Sequence, residues 1–258
     1  MRCRFSLVCA ILVLGIFLDA SVYAQQVDLG ATWTRYFKFF EAGNYPAALD
    51  EAQKYEAAAK ARFGTGNANY ADALNMLGNV YEVTGRYQEA EDLFQQELTL
   101  LEKTKGPASV PAAGALSNLA VVYDMQGKLE QALTAYQRVL AIREKVLGVN
   151  NPDVSDVLNN LGLIYRQLGK TTEAASFLQR TLAIQERLRG GNQADLARTL
   201  LNLAVVYVAQ GKESDAEGLY RRGLTLTEKT LGPKHPMVAN FVHNLAVVDV
   251  DLGKLDED

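Results

Sequence analysis

A pattern of glycine, aromatic and alanine positions recurs along the chain every 42 residues. The recurring glycines are Gly43, Gly85, Gly127, Gly169, Gly211 and Gly253, and each except the first is followed by Lys or Arg. An aromatic residue, such as Tyr165, stands four residues before all of these glycines but the last. An alanine, such as Ala132, stands five residues after them with the same exception. A fixed period of this length predicts a stack of similar structural units.

Apolar residues on both sides of each glycine are spaced as on one face of a helix. Leu158, Leu161 and Tyr165 follow the spacing i, i+3, i+7 before one glycine. Ala132 and Tyr136 begin the same spacing on a longer second helix after another. Each unit is therefore predicted to be a helical hairpin, and the chain to be all-α, an α-solenoid of stacked hairpins.

Helix-breaking segments separate the predicted hairpins, and small residues allow close packing of the two helices within each hairpin. Segments that cannot continue a helix lie between units: Gly106-Pro107, Asn151-Pro152, Gly190-Gly191 and Gly232 to Pro236. A small residue stands seven positions before the glycines: Gly78, Ala120, Gly162, Ala204 and Ala246. Together with the alanine of the second helix, it is predicted to let the two backbones of a hairpin approach closely.

The repeated segments resemble a known family. They are similar to the 42-residue tetratricopeptide repeats of the kinesin light chain type. The segments that carry the likeness are Leu158-Asn-Asn-Leu-Gly-Leu-Ile-Tyr165, the Gly-Lys turn and Leu231-Gly-Pro-Lys-His-Pro236. We expect the protein to be an exported bacterial member of this family. The resemblance implies one solenoid over residues 25–258. Its predicted units are residues 31–72, 73–114, 115–156, 157–198 and 199–240, followed by a half-unit cap at 241–258.

The two end units depart from the repeat. In the first, Arg35 and Tyr36 replace the usual Leu and small residue, which leaves the helical register uncertain there. In the last, Asp249 occupies the tyrosine position. We expect Asp249 to face water on a solvating cap helix, because a stacked core needs a polar end.

The N-terminus is predicted to be an export signal at residues 1–24. A basic start is followed by an apolar stretch at residues 5–18, which is short for a membrane span. Small residues precede an expected cleavage between Ala24 and Gln25. The expected location is therefore periplasmic or secreted.

An uncleaved membrane anchor is the alternative reading of this segment, and lipidation at Cys9 is a weaker one. The only cysteines are Cys3 and Cys9, so cleavage would leave a chain without thiols. Disulfides, cysteine-ligated zinc and thiol catalysis are not expected in that chain.

Composition and motifs favour a binding protein over an enzyme. A formal net charge of −4 provides no basic field for nucleic acid. Catalytic motifs are missing; His235 is predicted to serve a turn and His243 to be a solvated surface residue. Gly162 to Thr171 has the wrong glycine spacing for a phosphate-binding loop, so neither nucleotide nor another cofactor is predicted. No metal site is expected.

The resemblance implies a binding groove on the concave face of the array, which the first helices of the hairpins line. Asparagine recurs there at Asn118, Asn160, Asn202 and Asn244, where the family uses an amide to hold the backbone of an extended peptide. The second unit has Met76 at this position and Asn75 one residue earlier. The alternative is that these amides only bond to the neighbouring hairpin.

Apolar residues lie three positions beyond each asparagine: Val121, Leu163, Val205 and Val247, with Asn79 in the second unit. They form either shallow pockets between the amides or ordinary core between hairpins.

Charge on the same face is mildly acidic. Arg166 and Arg198 are opposed by Glu41, Asp72, Glu82, Asp124, Asp156 and Asp251. We therefore predict a non-enzymatic adaptor that binds a neutral or basic extended segment of a partner protein. The alternative is a structural or assembly component of an envelope complex that packs through its terminal repeats, including self-association at the cluster Trp33, Phe37 and Phe40.

Overall fold

The computed structural model describes residues 27–188 and 192–254, which are helical and contain no strand. The helices are α1 (Leu29–Glu41), α2 (Tyr45–Phe63), α3 (Ala68–Val83), α4 (Tyr87–Lys105), α5 (Val110–Met125), α6 (Leu129–Leu147), α7 (Pro152–Gln167), α8 (Thr171–Arg187), α9 (Gln193–Val208), α10 (Glu213–Leu231) and α11 (Pro236–Asp251). The predicted signal segment, its cleavage site and the Gly190-Gly191 turn lie outside the described residues.

The chain divides into two compact units at the junction of Gln126 and Gly127. In unit 1, helices α1 to α5 pack in chain order, each against the next. In unit 2, α6 to α11 do the same. The predicted all-α class of stacked helical hairpins is confirmed, while the arrangement of residues 25–258 as one array stays a prediction.

The predicted glycine turns are confirmed, and they have one local geometry. The glycines take a positive φ, for example +76° at Gly85 and +72° at Gly169. The next N–H then reaches back to the carbonyl of the aromatic residue, as from Lys170 to Tyr165 at 2.9 Å. This six-residue closure is the Schellman motif, which satisfies carbonyls at a helix end.

The basic residue after the glycine also contacts the aromatic ring. The Lys170 ammonium lies 5.9 Å from the Tyr165 ring centroid, and the Arg86 guanidinium lies 4.1 Å from that of Tyr81. A cation over a ring face is attracted by the ring quadrupole. This contact gives a physical reason for the repeated Gly-Lys and Gly-Arg pairs.

The turns between hairpins end in capped helices. Asn151 accepts a hydrogen bond from the backbone of Asp153 at 2.8 Å, and His235 Nδ1 accepts one from Met237 at 3.2 Å. In both places a proline follows as the first helical residue. Asn151-Pro152 and His235-Pro236 therefore separate two hairpins and also start the next helix. The predicted structural role of His235 is confirmed.

Close approach within hairpins is confirmed at two of the small positions. A Cβ added at Gly78 would lie 2.5 Å from the Phe94 ring, and one at Gly162 would lie 2.7 Å from Leu178. Phe94 and Leu178 are fully buried. No side chain larger than hydrogen fits at either glycine without displacing its neighbour.

The first unit of the repeat keeps its register despite its unusual residues. Tyr36, at the small-residue position, is buried, and its hydroxyl donates to the carbonyl of Met76 at 3.1 Å. The glycine that follows, Gly43, has the same positive φ as the others. A buried tyrosine with a bonded hydroxyl thus replaces the close contact found in other hairpins.

Candidate peptide-binding faces of the first helices

The predicted asparagines lie on the first helices of the hairpins, and the two units are described separately. The unit 1 face comprises Asp72, Asn75, Asn79 and Glu82 on α3 and Asn118, Val121 and Asp124 on α5. The unit 2 face comprises Asn160, Leu163 and Arg166 on α7, Arg198, Asn202 and Val205 on α9, and Asn244 and Val247 on α11.

In unit 2, the amides make long or local hydrogen bonds. Asn160 donates to the Tyr136 hydroxyl at 3.3 Å, and Asn202 donates to the side-chain oxygen of Asn159 at 3.4 Å. Asn244 instead donates to a carbonyl of its own helix at 2.7 Å. Bonds near 3.4 Å are weak, so the amides of Asn160 and Asn202 are half-buried groups with capacity for better partners.

In unit 1, Asn118 differs from these residues. It is half-buried, and its side chain makes no hydrogen bond within the described part of the chain. An amide that is half-buried and unbonded gains more from a peptide partner than one that is already satisfied. Of the predicted amides, Asn118 therefore has the most unused hydrogen-bonding capacity.

A buried carboxylate in unit 1, that of Glu97, was not predicted from the sequence. Asn79 donates to Asn75 at 2.9 Å, and Asn75 donates to both carboxylate oxygens of Glu97 at 3.2 Å. Glu97 belongs to α4 and is only 5% exposed. Burial raises its pKa to about 7, the Asn75 hydrogen bonds oppose the rise, and the nearby charge of Asp72 adds to it.

A signal for Glu97 was present in the sequence. Forty-two and eighty-four residues later, the same position of the second helix is held by Val139 and Thr181, both fully buried. An acidic residue at a buried position of the repeat indicates a special environment. Asn75, one position before the expected amide, is its partner.

The apolar residues near the amides are neither fully buried as core nor fully exposed as pocket walls. Val121, Leu163 and Val205 are half-buried, and Val205 packs against the core cluster around Tyr220. Val247 is 45% exposed. These side chains support the helices beneath and keep one side accessible, which is compatible with shallow pockets.

Charges on the two faces are distributed unequally. Arg166 is half-buried and makes no ion pair in the described residues, while Arg198 pairs with Asp195 of its own helix at 3.1 Å. Burial raises the pKa of Glu82. It also raises the pKa of Asp72, because protein surrounds one side of the Asp72 carboxylate although the other side is exposed. Both arginines belong to unit 2.

Asp249 does not simply face water, as was expected. Arg221 lies 3.5 Å from both of its carboxylate oxygens, and the Asp249 side chain is only 19% exposed. In earlier repeats a glutamine donates to the tyrosine at these two positions, as Gln179 does to Tyr207 at 2.6 Å. An ion pair has therefore replaced a Gln–Tyr hydrogen bond, and this corrects the sequence interpretation.

The described residues also limit the chemistry of these faces. Among residues 27–188 and 192–254, no group of three or more His, Cys, Asp or Glu side chains is placed to hold a metal ion. None of the helices in that part of the chain is both long and apolar enough to span a membrane.

Stacked hairpins with closing glycine turns, and with amides on the exposed faces of the first helices, define a helical repeat protein. The tetratricopeptide repeat model matches residues 39–103, 111–187, 153–229 and 195–257. The starts of the last three matches differ by one 42-residue period. The chain belongs to the tetratricopeptide repeat family, whose members typically bind other proteins and are generally not enzymes.

Solved structures share this fold. A kinesin light chain-like protein of Podosopora anserina with nearly identical TPR-like repeats is 26% identical, with a TM-score of 0.64 over 74% of this chain and 90% of that chain. BtubC (BKLC) from P. vanneervenii is 20% identical, with a TM-score of 0.63 over 81% of this chain and 92% of that one.

The apo form of RapI is 15% identical, with a TM-score of 0.70 over 88% of this chain and 84% of that chain. The likenesses to BtubC and RapI establish the fold alone. No curated protein sequence matches the chain.

Proposed function

We propose that the protein is a non-enzymatic adaptor that binds an extended segment of a partner protein on the faces of its first helices. The observation that carries this proposal is the state of the amides. Asn118 is half-buried and unbonded within the described residues, and Asn160 and Asn202 hold only long hydrogen bonds. A primary amide both donates and accepts, so it can pair with a peptide group whatever the side chain beside it.

The apolar side chains near the amides support the same proposal. Half-buried Leu163 and Val205 offer contact area next to Asn160 and Asn202 without being fully committed to the core. Backbone pairing by amides and side-chain contact in shallow pockets together give affinity with limited sequence specificity.

The test replaces Asn118, Asn160 and Asn202 together by Ala and measures partner recovery by pull-down from the exported fraction of the producing organism. We expect recovery to fall at least about five-fold, because the loss of even one amide contact of about 1 kcal/mol weakens binding by that factor. Recovery equal to that of the unchanged protein would contradict binding at these faces.

A matched control removes two exposed amides away from the faces. Gln95 lies on the second helix α4, and Asn150 lies in the turn before α7. The double change Gln95→Ala and Asn150→Ala should leave recovery unchanged. Circular dichroism of both variants should show unchanged helicity, so that lost binding is not lost folding.

A second candidate function is a structural or assembly role through the terminal repeats. It is favoured by one aromatic pair at the start of the repeats. Trp33 and Phe37 are 36% and 37% exposed, and their ring centroids lie 4.8 Å apart. Light scattering on the protein at high concentration tests self-association, and a strict monomer would count against this role. The change Trp33→Ala with Phe37→Ala should abolish any association observed.

We also propose that the protein is exported. The basic start, the apolar stretch at residues 5–18 and the small residues before Gln25 support it. Mass spectrometry of the protein from the periplasm or medium should find an N-terminus at Gln25. A full-length protein retained in the membrane would favour the anchored alternative.

A further inference from the structure

Two of the three first helices of unit 1, α3 and α5, contain no lysine or arginine. The first helix α1 has Arg35 and Lys38, and in unit 2 α7 and α9 each have one arginine on the face. The carboxylates of Asp72 and Glu82 lie on the α3 face, and neither is paired with a cation within the described part of unit 1. Two unpaired carboxylates on one helix face leave negative charge without an internal counterion.

A buried carboxylate adds to this charge. Among the residues that the structure describes, Glu97, which is 5% exposed, receives hydrogen bonds only from the neutral amide of Asn75. Glu51 in α2 is buried to the same extent, but Arg35 lies 2.7 Å and Lys54 lies 2.9 Å from its carboxylate. Burial of an ionised carboxylate is costly without an opposite charge. Unit 1 therefore supplies counterions to one of its buried carboxylates and not to the other.

The spacing of the α3 carboxylates fits an extended chain. Asp72 and Glu82 are ten residues apart, which is about 15 Å along a helix. An extended segment covers this distance in four to five residues, at about 3.3 Å each. Because side chains alternate along an extended chain, residues i and i+4 point to the same side.

We propose that the unit 1 face selects partner segments with two basic side chains four residues apart, one at Asp72 and one at Glu82. This inference rests on the proposed function and names the chemical class of its partner. Asn75 and Asn79 lie between the two carboxylates on α3 and are bonded to Glu97 and to each other, so the segment is held there through its two basic side chains. Glu97 strengthens the negative field at the Asp72 end and makes no direct contact.

The test uses labelled peptides and fluorescence anisotropy. The probe is Gly-Ser-Lys-Thr-Ser-Thr-Lys-Ser-Gly with an N-terminal fluorescein. One comparison peptide has Glu in place of both Lys, and another has the same two Lys adjacent. We expect the probe to bind about ten-fold more tightly than the Glu peptide and about three-fold more tightly than the adjacent-Lys peptide. Equal affinity for the Lys and Glu peptides would overturn the inference.

Variants assign the preference to the named carboxylates. The double change Asp72→Asn and Glu82→Gln should weaken probe binding at least about five-fold and reduce its salt dependence. The control, Asp92→Asn with Glu130→Gln, removes the same charge from second helices and should change affinity less than about two-fold. Equal losses in the two doubles would show attraction by net charge only and overturn the assignment.

A third variant separates binding from folding. At pH 8, above the raised pKa of Glu97, the change Glu97→Gln removes an uncompensated buried charge, so it should raise stability and still weaken probe binding by about two-fold. Unchanged binding would exclude Glu97 from the field at this face. If the lysine preference is absent while the asparagine variants still lose the partner, this inference fails and the proposed function stands.

Discussion

The side-chain nitrogen of Asn75 lies 3.2 Å from both carboxylate oxygens of Glu97. Within residues 27–188 and 192–254, it is the only hydrogen-bond donor to this carboxylate, which is 5% exposed. Because one neutral amide does not offset the loss of water, the folded protein holds the proton of Glu97 more tightly than the unfolded chain does. The pKa is raised from 4.5 to about 7.

Stability is therefore expected to fall as pH rises between about 4.5 and 7. Below this window Glu97 is protonated in both states, whereas inside it the unfolded chain releases the proton and the folded protein retains it. The change Glu97→Gln should remove this loss, giving a variant more stable by about 2–3 kcal/mol at pH 8 and little changed at pH 4. Urea unfolding at the two pH values measures the difference.

Glu51 is the control with the opposite sign. Burial alone would raise its pKa, but hydrogen bonds from Lys54 and Arg35 outweigh it and lower the pKa below 4.5. Glu51 therefore stabilises the fold above pH 4.5, and the stabilisation is lost as pH falls through the lowered pKa. Glu51→Gln should destabilise at pH 8. The same sign for both variants would contradict this account of the two carboxylates.

Two glycines of α10 should respond to alanine in opposite directions. A Cβ at Gly223 would lie 2.3 Å from the fully buried Phe241 ring, so Gly223→Ala should cost about 1–3 kcal/mol. At Gly218 an added Cβ meets nothing within 4 Å. Gly218→Ala should stabilise by about 0.5–1 kcal/mol through helix propensity. The melting temperature of the unchanged protein should therefore lie between those of the two variants.

The helix caps of unit 2 should differ in strength. Asn151→Ala removes the acceptor for the Asp153 N–H and should cost about 1 kcal/mol. His235→Asn should stabilise by about 0.5 kcal/mol, because an amide oxygen is a better cap than an imidazole. Asn150→Ala, next to the cap, is the control; it removes only an exposed hydrogen bond from Arg187 and should change the melting temperature little. A destabilised His235→Asn variant would show that the imidazole does more than cap.

Ion pairs between second helices should contribute little to stability. Arg180 pairs with Glu144 at 2.5 Å, and one period later Arg222 pairs with Glu186 at 2.6 Å. All four residues are partly exposed, so a double-mutant cycle on either pair should give a coupling of about 0.2–1 kcal/mol that declines in salt. A coupling above about 2 kcal/mol would show that the pairs are structural anchors.

The hairpins and their turns could be predicted from sequence because their causes are local. The closure from Lys170 to Tyr165 depends on six consecutive residues, and the positive φ of Gly169 belongs to one position. The predicted amide positions of Asn160 and Asn202 follow in the same way from the helical period. Which partners those amides take depends on neighbouring helices and was not predictable.

The remaining features join residues that are distant in the chain. Asn75 and Glu97 are 22 residues apart, and each is unremarkable alone, so only comparison of equivalent repeat positions singles them out. Arg221 and Asp249 are 28 residues apart and replace a Gln–Tyr pair. Considered alone, Asp249 predicts an exposed end, whereas considered with Arg221 it predicts a pair. The pairing is a joint property of two positions.

The contact between Gly78 and Phe94 has a consequence for how the chain avoids mispairing. One period earlier the same two positions are held by Tyr36 and Ala52, so the large and small partners are exchanged between helices. A chain of near-identical hairpins risks pairing a helix with the wrong copy of its partner. A hairpin formed by α1 and α4 would place Tyr36 against Phe94. A hairpin formed by α2 and α3, which in the structure are neighbours from successive hairpins, would leave a void between Gly78 and Ala52. The matched side-chain volumes thus favour the correct pairing of helices in each hairpin.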